Sequence, residues 1–383
     1  KLEIAEKLLG ELYAIEPTNE EIYIQQANIH SKKDEHEKAI ESLKIALKYT
    51  DDYADVYSMI GMEYLFMDNL EKAKEYFIKC LEEDEEDYSA LYNVVYCYDF
   101  LDQNEQAIEY LTKFIDRSPY SEVAWHQLGR QYYTLKNFEK AVWAFDYATL
   151  IDDTFLGAYM EKAKALEKLK RYADAIECYK LTTEIDDATS FALLRMGKCY
   201  EKLDNKEQAL KYFHKTVHED PLLDKGWIAI TDFYIGEKNY QKALYYVNKA
   251  LGIDADNSFY WKRYAAINEA LQFFEEAEIG YKKAFENGDI NLDTFVLWSN
   301  ALQQLGEYDA AIEILLQSLE VFPDEYEVEY RLGGLYYLIG DGKSGKYHLT
   351  NALRLNFNNH TILVDYFPGV WIRKAVQTLI EKF

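Results

Sequence analysis

The sequence predicts an all-α fold that is built from repeated pairs of antiparallel helices. A marker alanine returns every 34 residues across most of the chain, without an insertion or a deletion. Small and large side chains recur at fixed distances from this alanine, as the close packing of helices requires. The chain also has only 5 Pro and 17 Gly in 383 residues. So few turn-forming and helix-breaking residues favour long helices over many short strands.

The marker alanine defines the repeat, because a fixed period of this length is the sequence signature of a repeat array. It stands in short stretches such as EKAI, EKAK, EQAI and ADAI. The series reads Ala39, Ala73, Ala107, Ala141, Ala175, Ala209, Ala243, Ala277 and Ala311, and it extends back to Ala5 and forward to Gly345. We therefore expect one helix pair for every 34 residues.

Two further columns of residues explain how the helices of a pair would pack. The small column lies twelve residues before each marker and holds Ala27, Gly61, Val95, Gly129, Ala163, Gly197, Thr231, Ala265, Ser299 and Gly333. The large column lies four residues after the marker and includes Leu43, Phe77, Phe145, Tyr179, Phe213 and Tyr281. Small side chains let two helix axes approach, and bulky ones fill the space beside them. Polar breaks such as Lys136–Asn137 predict the turn inside each pair.

The stretch from Ala124 to Ala148, which reads AWHQLGRQYY and then NFEKAVWAFDYA around its turn, shows the whole pattern together. With this pattern and period the chain resembles the tetratricopeptide repeat family. The resemblance implies a right-handed superhelical solenoid of about ten stacked helix-turn-helix repeats. It also implies that the first helix of each pair lines a concave groove and that the second helix lies outside.

The repeat register suggests a division of the chain into three parts. We expect residues 1–19 to form the second helix of a truncated first repeat, residues 20–359 to hold ten repeats, and residues 360–383 to form C-terminal capping helices. Because the first repeat lacks its first helix, further helical sequence is expected upstream. In the C-terminal part we expect one helix, a break at Pro368–Gly369 and a final helix with an apolar stripe from Trp371 to Phe383. A contact with a second copy is the alternative use of that stripe.

The composition limits the classes of partner. A formal charge of −26 argues against nucleic acid, because binding to phosphates needs a basic surface. The same charge would be repelled by an anionic membrane, and no stretch approaches the roughly 18 apolar residues of a membrane span. The four cysteines have neither disulfide-like nor metal-like spacing, which favours a cytoplasmic location. Export with a signal that has been removed is the open alternative.

The sequence predicts no catalytic residue, no metal ligand and no cofactor. GDGKSG at Gly340–Gly345 lacks the first glycine and the preceding strand of a phosphate-binding loop. His214 and His218 have the spacing of a two-histidine metal site, but we expect them on the outer surface of a second helix. A nucleophile beside a base, or a pair of catalytic carboxylates, is not evident. The sequence therefore predicts a protein that is not an enzyme.

The resemblance implies that residues fifteen, eleven and seven before each marker face the groove. In these columns and beside them lies an apolar group, namely Met62, Phe66, Tyr92, Tyr96, Phe100 and the nearby Tyr133. A basic ladder follows and comprises Arg130, Lys164, Lys168, Lys198 and Lys202. Core packing of the aromatic residues and simple solvation of the lysines are the alternative interpretations.

These features predict a protein–protein interaction scaffold or adaptor, whose groove binds a peptide or helix of a partner. An acidic segment of that partner would match the basic ladder. Ile24 with Asn28 and Ser58 with Met62 occupy the columns where some relatives hold a C-terminal carboxylate, so that mode is not supported. The alternatives are a structural or assembly subunit that uses the convex face or the C-terminal helix, and the non-catalytic repeat region of a larger protein. The oligomeric state stays open.

Overall fold

The chain folds into α-helices that follow one another in pairs. The structure is a computed structural model that describes residues 2–185 and 189–383, with side chains from Ile4 onward within those ranges. The chain divides into two compact units, which are residues 1–188 with 202–204 and residues 189–201 with 205–383.

The first unit holds eleven helices in its described residues. These are α1 (Leu2–Ile15), α2 (Glu20–Ser31), α3 (His36–Ala46), α4 (Tyr53–Phe66), α5 (Leu70–Glu83), α6 (Tyr88–Phe100), α7 (Asn104–Arg117), α8 (Glu122–Thr134), α9 (Phe138–Ile151), α10 (Leu156–Lys168) and α11 (Tyr172–Ile185). The even-numbered members are the first helices of pairs, and the odd-numbered members from α3 onward are the second helices.

The second unit continues the same alternation. It holds α12 (Ser190–Lys202, whose last residue belongs to the first unit), α13 (Lys206–Glu219), α14 (Asp224–Gly236), α15 (Tyr240–Leu251), α16 (Ser258–Ala270), α17 (Phe274–Glu286), α18 (Leu292–Leu305), α19 (Tyr308–Val321), α20 (Tyr326–Ile339) and α21 (Gly342–Leu355). A 3-10 helix (Phe357–Asn359) and three short helices follow, which are α22 (Ile362–Tyr366), α23 (Pro368–Trp371) and α24 (Lys374–Ile380). The described residues contain helices as their only regular structure, so the predicted fold class of tandem helix pairs is confirmed.

The turn inside each pair contains one residue in the left-handed backbone region. These residues are Asp34, Asp68, Asp102, Lys136, Lys170, Asp204, Lys238, Gln272, Gly306 and Gly340, each 34 positions after the last. The next residue is the N-cap that directly precedes the second helix, and Asn69 and Asn137 cap their helices by accepting a hydrogen bond from a backbone N–H three residues later. Asparagine is a preferred residue at this position because its short side chain reaches that donor. The turns therefore repeat with the same period as the core.

Contact between the small and large columns holds the two helices of a pair together. A Cβ atom at Gly129 would lie only 2.5 Å from the Phe145 ring, so the ring packs against bare helix backbone. The same close approach joins Gly61 to Phe77. Where the small column has a bulkier side chain, as at Val95, the large column holds the smaller Leu111, and both are buried. The two columns are thus complementary in size in these three pairs.

The C-terminal residues form three short helices where the sequence predicts two. Pro368 begins α23, since proline fits the first position of a helix, where its missing N–H is not needed. Val376 and Ile380 of α24 are buried with the core of the last repeats, whereas Ile372 lies outside that helix and is 76% exposed. The apolar stripe is therefore shorter than predicted, because the backbone turns between Trp371 and Lys374.

Replacement of Gly129 by Ala is expected to lower the free energy of unfolding by about 1–3 kcal/mol, because the new methyl group collides with the Phe145 ring. The added change Phe145→Leu should recover part of this loss, since leucine leaves room for the methyl group. Urea unfolding followed by circular dichroism measures both effects. Gly236→Ala, at a site with no neighbour within 4 Å, is the matched control. An additive loss in the double variant would contradict the size argument.

Candidate binding surface on the first helices

The predicted apolar residues of α4 and α6 lie on the exposed side of these first helices. We name Met62, Phe66, Tyr92, Tyr96 and Phe100 the apolar patch. All five side chains are exposed, and Phe100 is exposed by 65%. Ile60 and Val94, which point the other way on the same helices, are fully buried. The aromatic residues of the patch thus belong to the surface, and their role in binding stays a prediction.

Contacts between side chains link the patch across successive helices. The rings of Tyr96 and Phe100 lie 4.4 Å apart between centroids. Asn93 Nδ2 of α6 lies 3.8 Å from Met62 Sδ of α4. A cavity of about 400 Å³ between α2 and α4 is lined in part by Met62 and Phe66. The patch therefore spans α4 and α6, with a recess at one side.

A cleft between α8 and α10 brings together three other residues that the sequence predicts for the groove. Arg130, Tyr133 and Lys164 line it with Thr134 and Glu161, and its volume is about 210 Å³. We call it the α8–α10 cleft. Tyr133 and Lys164 are half-buried and Arg130 is exposed, so the rim of the cleft carries two positive charges that solvent can reach.

Glu161 is the negative group at the centre of this cleft. Its carboxylate lies 3.3 Å from His126 Nε2 and 3.8 Å from Arg130 Nε. Burial tends to raise the pKa of Glu161, but contact with His126 and the charges of His126, Arg130 and Lys164 outweigh burial, so the pKa lies below its ordinary value. Glu161 is therefore ionised at neutral pH, beside the positive charges of Arg130 and Lys164.

Tyr92 connects the apolar patch to the cleft through a side chain that sequence analysis missed. The side chain of Gln127 is fully buried, its Oε1 accepts a hydrogen bond from Arg130 Nη1 at 3.2 Å, and its amide lies beside the Tyr92 hydroxyl. Burial raises the pKa of Tyr92, while Gln127 and the charge of Arg130 oppose this shift. The apolar patch and the α8–α10 cleft thus form one surface across α4, α6, α8 and α10.

The remaining members of the predicted basic ladder have different surroundings. Lys168 is exposed one turn beyond Lys164 on α10, and Lys202 is exposed at the end of α12. Lys198 is half-buried in the second unit. There its charge and that of Arg263 oppose the rise in the pKa of Asp232 that burial causes. Of the predicted basic ladder, the structure therefore places Arg130 and Lys164 together in one cleft.

Other sequence features have structural explanations. His214 is half-buried with its ring 5.9 Å from that of Tyr246, and burial lowers the pKa of His214, whereas His218 is exposed. Asp341 in GDGKSG caps α21 by accepting hydrogen bonds from two backbone N–H groups.

In the described part of the chain, His, Cys, Asp and Glu side chains form no cluster of three that would hold a metal ion. Every helix among these residues is too short or too polar to span a bilayer.

Comparison with known families identifies the repeat. Models of the tetratricopeptide repeat match residues 20–53, 54–87, 88–121, 156–189, 191–222 and 296–343, which together are more than half of the chain. Anaphase-promoting complex subunit 3 of Schizosaccharomyces pombe is 26% identical over 159 residues, or 42% of this chain and 24% of that protein. The match thus spans about a quarter of the relative's length.

Solved structures show a similar arrangement of helices. The C-terminal part of a repeat-containing protein of the same kind from Cytophaga hutchinsonii gives a TM-score of 0.54 at 14% identity, over 63% of this chain and 99% of that one. A tetratricopeptide repeat protein from Parabacteroides merdae gives a TM-score of 0.46 at 15% identity, over 65% and 99% of the two chains. At these identities the likeness to the first structure shows a shared fold.

Replacement of Glu161 by Gln is expected to reduce the acid sensitivity of the fold. Because the pKa of Glu161 is lowered in the folded chain, its ionised form stabilises the fold above the ordinary value of 4.5, and this contribution is lost as the pH falls through the folded pKa. Between pH 6 and pH 3 the wild type should lose up to about 1 kcal/mol more than the variant. Urea midpoints measure this difference, and Glu177→Gln on the exposed surface of α11 is the control. Equal losses in wild type and variant would refute the assignment.

Proposed function

This chain belongs to the tetratricopeptide repeat family, and from that premise we propose that it is a protein–protein interaction scaffold or adaptor. Repeats of this family are generally non-catalytic scaffolds, so the proposed activity is binding and not catalysis. The observation that carries the proposal is the neighbouring position of the apolar patch and the α8–α10 cleft, which Tyr92 connects. A partner peptide or helix would lie across the first helices α4, α6, α8 and α10.

The apolar patch would supply most of the binding energy. Phe66 is 59% exposed and Phe100 is more so, and burial of one such side chain releases about 1.5–3 kcal/mol. Exposed aromatic residues next to each other are typical anchors of an interface. The recess of about 400 Å³ beside Met62 and Phe66 is large enough for a side chain of the partner. An apolar residue of the ligand would therefore bind at this end.

The cleft would select a partner segment with an acidic residue. Arg130 and Lys164 bring two positively charged side chains to the cleft, beside the carboxylate of Glu161. This grouping of cations stands out in a chain with a formal charge of −26, and opposite charges favour encounter and orientation. Lys168 and Lys202, which belong to the same unit as the cleft, would extend the attraction along the same segment. The proposed ligand thus combines an apolar anchor with a neighbouring carboxylate.

One observation favours a second function, that of an assembly subunit that binds through its second helices. Trp143, Tyr147 and Leu150 of α9 are exposed and recur at intervals of four and three residues, so they form an apolar stripe. The relative in Schizosaccharomyces pombe is by its name a subunit of a complex. Its greater length also fits a role of this chain as the repeat region of a larger protein.

The location that we propose is the cytoplasm. All four cysteines are buried, and Cys80, Cys97 and Cys178 have free thiols, as is usual in a reducing compartment. Burial raises the pKa of Cys97 to about 11 and that of Cys178 to about 11, which keeps both thiols protonated and unreactive at neutral pH.

A peptide library displayed on phage and selected on the immobilised chain tests the proposal. Peptides with an apolar residue near an acidic one should be enriched. Tyr96→Ala and Lys164→Glu should each weaken binding of the selected peptides at least tenfold, about 1.4 kcal/mol, without a change in helical circular dichroism. Tyr120→Ala and Lys180→Glu are the matched controls, because they change exposed residues that lie outside the proposed binding surface.

Two outcomes decide between the candidate functions. Binding that survives both Tyr96→Ala and Lys164→Glu removes the first-helix surface from consideration. Loss of binding on Leu150→Glu alone, with Tyr96→Ala harmless, transfers the function to the second helices.

A further inference from the structure

The C-terminal residues lie on the last two first helices and not only at the end of the last pair. Leu363 lies in α22, Phe367 is the residue that follows α22, and Val370 lies in α23. All three side chains are fully or almost fully buried, and they recur at intervals of four and three residues. The segment is not one continuous helix, because the backbone of Phe367 leaves the helical region between α22 and α23 (φ −137°, ψ 53°), so the three side chains come from two short helices joined at Phe367.

Polar contacts fix this segment on α18 and α20. Gln303 Nε2 of α18 donates a hydrogen bond to the main-chain oxygen of Tyr366 at 3.1 Å. The guanidinium of Arg331 on α20 lies 4.0 Å from the centroid of the Tyr366 ring. Arg373 Nη1 donates to the main-chain oxygen of Tyr337 at 2.5 Å. The segment from Ile362 to Arg373 is thus held by two successive first helices.

The contacted positions correspond in the repeat to those that line the α8–α10 cleft. Gln303 stands eight residues before Ala311, as Tyr133 stands eight before Ala141. Arg331 and Gly334 stand fourteen and eleven before Gly345, and their counterparts fourteen and eleven before Ala175 are Glu161 and Lys164. The chain's own segment therefore fills, on α18 and α20, the surface that is open between α8 and α10.

Gly334 leaves the space that the Phe367 ring occupies. A Cβ atom at this position would lie 2.4 Å from the Phe367 ring. The same column carries a full side chain at Met62, Tyr96 and Arg130. Only at Gly334 does the missing side chain leave a pocket on the exposed side of the helix, and Phe367 occupies it.

We propose that the exposed face of α18 and α20 is a second binding site, which takes a short apolar segment made of two helical turns joined at a phenylalanine. Residues 362–371 occupy the site as an intramolecular ligand, and a partner segment of the same kind displaces them. Helices of five and four residues have little stability of their own, so the segment opens more easily than the repeats. Val376 and Ile380 anchor α24 to the last pair and keep the released segment tethered. The site involves no residue of the surface proposed above.

The test uses the full chain and a fluorescent synthetic peptide of residues 360–373. Fluorescence anisotropy should show weak binding to the wild type, because the tethered copy competes. Phe367→Ala in the chain should tighten peptide binding at least tenfold. A peptide with the same Phe-to-Ala change should not bind. Gly334→Leu added to the Phe367→Ala chain should abolish binding, whereas Gly236→Leu, at a site with open space, should not.

Equal affinity of the peptide for the wild type and for the Phe367→Ala chain overturns the proposal. If Phe367→Ala lowers the melting temperature of the chain without tightening peptide binding, the segment is a structural cap, and the proposal is also overturned. Hydrogen exchange on the wild type is a second measurement that needs no variant. Backbone amides of residues 362–367 and 369–371 should exchange at least tenfold faster than those in the middle of α20, and faster still with excess peptide. Protection equal to that of α20 would also overturn the proposal.

Discussion

The close approach of the two helices in each pair is the constraint on which the rest of the structure depends. At Gly129 the helix backbone touches the ring of Phe145, and a single extra methyl group would not fit. Where the small column holds a larger residue, such as Val95, the large column holds a smaller one, Leu111. This complementarity fixes the rotation of each first helix about its axis. It buries one side of that helix and leaves Tyr96, Arg130 or Lys164 on the other, so core packing determines which residues a partner can reach.

The same period made most of the fold predictable from the sequence. A column of alanines and a column of small residues define both helices of a pair, and the polar turns follow as left-handed residues such as Lys136. The exposure of Tyr92, Tyr96 and Phe100 also follows from the period, because they share one face of one helix. Arg130, Tyr133 and Lys164 could be placed near one another for the same reason.

Features that break the period or lie beneath the surface could not be predicted. Gln127 and His126 lie in columns where most repeats have other residues, and only packing shows that they support Arg130 and Glu161. The course of the C-terminal segment depends on one absent side chain, at Gly334, and on the stacking of Arg331 with Tyr366. Contacts of this kind join residues far apart in sequence, and spacing alone carries no information about them.

The central claim is that a partner binds to the exposed side of the first helices. Site-specific photo-crosslinking with a phage-selected peptide tests it most directly. The photoreactive amino acid p-benzoylphenylalanine would replace Tyr96 on α6 in one sample of the full chain and Tyr147 on α9 in another. Crosslinking from position 96 and not from position 147 is the predicted result. Crosslinking from position 147 alone would show that the ligand lies on the second helices, and it would contradict the account.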